Sequence, residues 1–66
     1  MDTETTARMI KDLRARTGLS AQKFGDKYKI PQRTIQSWEY GRRSAPEYLL
    51  FLLERAVLED FPEDRK

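Results

Sequence analysis

Four polar side chains recur at helical spacing in the stretch from Gln32 to Tyr40. On a helical wheel of about 100° per residue they cover an arc of roughly 140°, and they are Gln32, Arg33, Gln36 and Ser37. Ile35 and Trp38 fall on the opposite arc with Thr34. We therefore predict a helix that buries one face against a core and turns two amides, a guanidinium and a hydroxyl outward.

These outward side chains are of the types that recognise base edges in a DNA major groove. A glutamine amide can pair bidentately with adenine and an arginine with guanine, and each pair discriminates by about 1–3 kcal/mol. Trp38 shares the apolar arc, so we predict a core position for it and not a stacking platform. For Tyr40 three roles remain open: a phosphate contact, a position at the rim of the interface, or simple packing. Gly41 stops the helix.

Composition excludes several classes of protein. The chain has 66 residues and contains neither cysteine nor histidine, so disulfides, Cys/His zinc sites and thiol or imidazole catalysis are excluded. The sequence has neither paired carboxylates in a plausible cleft nor a glycine-rich phosphate loop after a strand, the features that would indicate an active site. We expect one small domain over residues 1–66, ordered from about 5 to 60, that is not an enzyme, needs no cofactor and has no evident small-molecule ligand.

Charge is unevenly distributed, although the whole chain carries only +2. Residues 8–43 hold ten Lys/Arg and three acids, a net +7, whereas both flanking segments are acidic. A basic middle segment favours a polyanionic partner. No apolar run approaches the roughly 20 residues that span a bilayer, and no secretory signal is visible. We expect a cytoplasmic protein without a membrane partner.

The pattern predicts an all-α fold, a small bundle of four to five helices that contains a helix-turn-helix. Ser20 is a good N-cap for the second helix, Pro31 suits the first position of the third, and Ser44 with Glu47 reads as a capping box. Gly25, in mid-helix, suggests that another helix passes close to its backbone. The predicted helices cover residues 5–17, 20–29, 31–40 and 46–58.

The fourth predicted helix carries more apolar side chains than one core can bury. Leu49, Leu53 and Ala56, with Leu50 or Val57, can fill the core. Those left over predict the interface of a homodimer, and they are Tyr48, Phe51, Leu52 and Leu58. The alternative is that the tail around Phe61 folds back over this face.

Residues at fixed offsets along the chain resemble the Xre-type helix-turn-helix family, which includes the lambda repressor and Cro DNA-binding domains. The resemblance covers about residues 8–57. It depends on Leu13-Arg14, Gly18-Leu19-Ser20, Phe24-Gly25, Ile30, Thr34-Ile35, Trp38-Glu39 and Gly41. It implies that the third helix enters the major groove of double-stranded DNA and that the second lies over the backbone.

The resemblance also assigns roles to individual positions. It implies base contacts by Gln32, Arg33 and Ser37, with Gln36 beside them, and a structural salt bridge between Arg14 and Glu39. Implied phosphate contacts fall at Ser20, Gln22, Lys23, Arg42 and Arg43. Two departures matter: Ala21 stands where the family often has a glutamine that braces phosphate, and Pro31 replaces a hydroxyl cap.

The function that follows is a sequence-specific transcriptional regulator, a dimeric repressor of the kind that phages and mobile elements encode or an autoregulatory antitoxin. The alternative belongs to another class. It is a protein-interaction module that uses helix 46–58 to bind or inhibit a protein partner, with DNA binding secondary or lost.

Overall fold

Four α-helices make up most of residues 2–62, the part of the chain that the computed structural model describes. They are α1 (Thr3–Thr17), α2 (Ala21–Tyr28), α3 (Gln32–Glu39) and α4 (Glu47–Asp60). No strand occurs among these residues. The predicted all-α bundle with a helix-turn-helix is therefore confirmed.

The first helix begins two residues earlier than its apolar pattern predicts, because Asp2 caps it. The Oδ1 atom of Asp2 accepts a hydrogen bond of 2.7 Å from the backbone N–H of Thr5, an arrangement that satisfies one of the free donors at a helix start. The same backbone hydrogen bond lowers the pKa of the Asp2 carboxyl. At the other end Gly18 adopts a left-handed conformation and donates to the Arg14 carbonyl at 3.0 Å.

The helix-turn-helix starts as the sequence predicts and differs in its turn. Ser20 is the N-cap of α2, and its hydroxyl accepts from the N–H of Lys23 at 3.2 Å. The turn itself lies closest to Gly25, since a Cβ at this position would overlap the Ile30 carbonyl oxygen, and the backbone nitrogen of Gln32 at the start of α3 would lie 3.5 Å from it. The predicted close approach to the Gly25 backbone is therefore found, but the turn before α3, and not the body of a helix, makes the closest contact.

Pro31 and Pro46 each stand just before a helix and not inside it. Pro31 and Pro46 have extended ψ values of 140° and 146°, so α3 begins at Gln32 and α4 at Glu47. The predicted capping box is wrong, because α4 has no side-chain cap and Ser44 lies too far upstream. The backbone of Ala45 explains the shift: its N–H donates to the buried hydroxyl of Thr6 at 3.2 Å, which fixes the approach to α4.

The core forms where α1 meets the other three helices. Trp38 is buried in it, as predicted. From α4, Leu53 is buried and so are both Leu50 and Val57, whereas the predicted core residues Leu49 and Ala56 are only half-buried. The buried apolar side chains are Ile10, Leu13, Phe24, Ile35, Trp38, Ala45, Leu50, Leu53 and Val57.

One polar contact joins α2 to the end of α4. The Tyr28 hydroxyl donates to Oδ2 of Asp60 at 3.1 Å, and Nζ of Lys27 lies 3.8 Å from the same oxygen. Burial, with help from Asp60, raises the pKa of Tyr28 to about 12. The phenol is therefore protonated at neutral pH and can act as the donor in this contact.

Candidate nucleic-acid interface

The outward face of α3 presents the four residues that the sequence predicts to read bases. Gln32 and Arg33 are exposed at its first turn, and Gln36 and Ser37 are half-buried one turn later. Within residues 2–62 their side chains form no hydrogen bond or ion pair. Their donors and acceptors are thus available to a partner outside the chain, while Ile35, on the opposite face, is fully buried.

The start of α2 is a second exposed polar surface, on a helix that packs against α3. Ser20, Gln22 and Lys23 are all exposed there. The Ser20 oxygen already accepts from Lys23, which leaves its O–H and the backbone N–H groups of Ala21 and Gln22 as donors. Free N–H groups at a helix start suit an anion such as phosphate.

Two arginines follow the end of α3, beyond its outward face. Gly41 has a φ of 75°. Its N–H donates to the Trp38 carbonyl at 3.1 Å, and the N–H of Arg42 donates to the Ser37 carbonyl at 2.9 Å. This pair of bonds is a Schellman motif, which needs a residue in the left-handed region and so favours glycine. It brings the guanidinium carbon of Arg42 to 5.6 Å from the Tyr40 ring centre, and Arg43 is exposed beside it.

A two-pronged ion pair locks α3 to α1. Nε of Arg14 donates to Oε2 of Glu39 at 2.6 Å and Nη2 donates to Oε1 at 3.0 Å. Nη1 of Arg14 also donates to the Leu19 carbonyl at 3.3 Å. The hydrogen bonds to Glu39 raise the pKa of Arg14. Because Glu39 is only 7% exposed, it is turned away from solvent and holds the helix instead of facing a ligand.

The outer face of α4 is apolar and open to solvent in the described chain. Four large side chains are 39–69% exposed, namely Tyr48, Phe51, Leu52 and Leu58. Phe61 does not cover them, because its ring lies beside Lys27 on α2, with Nζ 5.5 Å from the ring centre.

The structure divides these four residues into two groups. Tyr48 and Leu52 line a groove of about 410 Å³ whose other wall includes Tyr28 and Ile30 from the helix-turn-helix. Phe51 and Leu58 lie outside the groove, and the guanidinium carbon of Arg55 is 5.7 Å from the Phe51 ring centre. Periodicity along α4 could not reveal this groove, because its second wall is more than 15 residues away in sequence.

Residues 2–62 contain no group of three or more His, Cys, Asp or Glu side chains arranged to hold a metal ion. None of the helices in this range is long and apolar enough to cross a membrane.

Two short helices are joined by a tight turn, the second has a polar outer face, and a basic loop follows it. These features together define a helix-turn-helix DNA-binding protein. Family comparison agrees, and the helix-turn-helix family matches residues 10–57. The chain belongs to this lambda repressor/Xre-like family of DNA-binding regulators. No curated protein and no solved structure matches the chain significantly.

Proposed function

We propose that this chain, acting as one domain over residues 1–66, is a sequence-specific repressor that binds duplex DNA as a homodimer. Its α3 enters the major groove, and the residues after it and at the start of α2 contact phosphates. The observation that carries this proposal is the outward face of α3, whose polar side chains have no partners within the described chain. The proposed setting is the cytoplasm, where a bound dimer would exclude polymerase from a promoter.

Each proposed base contact predicts a separable effect, and Arg33 gives the clearest one. Arg33→Ala should lower discrimination at one base pair of the selected site by about 10- to 100-fold, the loss expected for a bidentate guanine contact. Selection of bound duplexes from a random pool, repeated with the variant, measures it. Arg8→Ala is the control, since it removes an equal charge from the exposed side of α1 and should leave base preference unchanged. An unchanged selected site for Arg33→Ala would contradict the base contact.

A second copy is proposed because a recognition helix of eight residues reads only a few base pairs. Two copies would read two half-sites about one helical turn apart, and the exposed apolar face of α4 offers the surface for pairing. Phe51→Glu and Leu52→Glu should each convert a dimer to monomer, because each places a charge in an apolar interface. Sedimentation equilibrium gives the masses. Lys11→Glu, on the exposed surface of α1, is the control and should keep the mass of the parent. A parent chain that is itself monomeric would contradict the dimer.

The groove beside α4 favours a second candidate function. A protein partner could dock there, as expected of an antitoxin or an inhibitor module, whether of phage or mobile-element origin. The two functions differ in their response to salt. Duplex affinity that falls steeply with log[salt] supports the repressor, because neutralised phosphates release counterions. Duplex binding that is absent or insensitive to salt supports the interaction module.

A further inference from the structure

Tyr40 is a large aromatic side chain without a role in the core. Tyr40 is 65% exposed, although Glu39, the residue directly before it at the end of α3, is buried. By helical geometry it lies near the centre of the polar arc that also holds Gln36 and Arg33. Its exposure and its position both direct the ring toward whatever α3 contacts.

The Tyr40 ring lies against a cation whose backbone is fixed. The Schellman motif at Gly41 holds the backbone of Arg42 next to Ser37, and the guanidinium lies 5.6 Å from the ring centre. At this distance an aromatic ring attracts an arginine. A long and flexible side chain is thereby restrained beside the last turn of α3.

The restrained guanidinium lies where a groove-bound helix would meet the DNA backbone. Helix-turn-helix proteins contact base edges with the first residues of the recognition helix, so the last turn of α3 lies nearer to the sugar-phosphate rim. Resting on the proposed function, we propose that Tyr40 is a positioning residue. Its ring holds Arg42 in place for a phosphate contact and so sets affinity for DNA without setting base preference.

Holding Arg42 in advance lowers the entropy that the side chain loses when it binds phosphate. Tyr40→Ala should therefore weaken binding to a duplex of about 20 base pairs by roughly threefold to tenfold. It should also reduce the slope of log affinity against log[salt] by up to about one. Tyr40→Phe keeps the ring and should keep both the affinity and the slope close to those of the parent.

A double-mutant cycle with Arg42→Ala separates positioning from a direct effect of the tyrosine. In the Arg42→Ala background, Tyr40→Ala should cause no further loss of affinity. An equal loss in both backgrounds, or a large fall in the melting temperature of Tyr40→Ala, would each overturn the positioning role. If the parent chain itself fails to bind duplex, the proposed function fails and this inference with it.

Discussion

Glu39→Ala should destabilise the fold by about 2–4 kcal/mol, because it leaves the Arg14 guanidinium without its carboxylate in a half-buried site. The full cost of a deeply buried pair would be higher, but the Arg14 side chain keeps about a third of its exposure. A chain of 66 residues has a total stability of only about 3–10 kcal/mol. The melting temperature should therefore fall by more than about 10 °C.

Two further variants test whether the ion pair is the cause. Glu39→Gln keeps the shape of the side chain and one hydrogen-bond acceptor, so its melting temperature should lie between those of the parent and Glu39→Ala. Glu54→Ala removes an exposed acid from α4 and should change stability by less than about 0.5 kcal/mol. Thermal unfolding followed by circular dichroism measures all three. The interpretation is wrong if Glu39→Ala melts within a few degrees of the parent.

Gly25→Ala should destabilise the chain by about 1–3 kcal/mol, opposite in sign to what helix propensity predicts. Alanine is favoured over glycine in a helix by about 1 kcal/mol, but its Cβ would overlap the Ile30 carbonyl oxygen. A backbone oxygen cannot rotate away as a side chain can. The turn would have to move, and α3 with it, so DNA affinity should fall in the fraction that still folds.

The matched control is a glycine that has space around it. Gly18 has no atom within 4 Å of a built Cβ, and only its φ of 73° restricts substitution. Gly18→Asn should cost less than about 1 kcal/mol, because asparagine tolerates the left-handed region. Urea unfolding gives the free energies of unfolding. A Gly25→Ala variant more stable than the parent would exclude the clash.

Local signals in the sequence were enough to predict the helices and the core face of α3. The Ser20 cap, the Gly18 stop and the burial of Trp38 each depend on residues within one or two helical turns, where periodicity and capping rules apply. The capping box predicted at Ser44 does not form, although the residue pattern is present, because Pro46 and the Thr6 contact fix the backbone differently. That contact joins positions 39 residues apart, a distance at which local patterns carry no information.

The candidate site divides in the same way. The outward residues of α3 follow from periodicity, whereas the contact between Tyr40 and Arg42 depends on how Gly41 reverses the chain. The groove beside α4 needs Tyr28 and Leu52 on facing walls. Their proximity is a property of tertiary packing, so amphipathic analysis of either helix alone could not predict it.

The link from Arg14 to both Glu39 and the Leu19 carbonyl has a consequence for genetics. The orientation of α3 is set by a residue on α1 that lies outside the proposed DNA contacts. A screen for loss of DNA binding in cells should therefore recover substitutions at Arg14 as readily as at Arg33. Cellular protein levels would separate the two groups, since only the first should reduce the amount of folded chain.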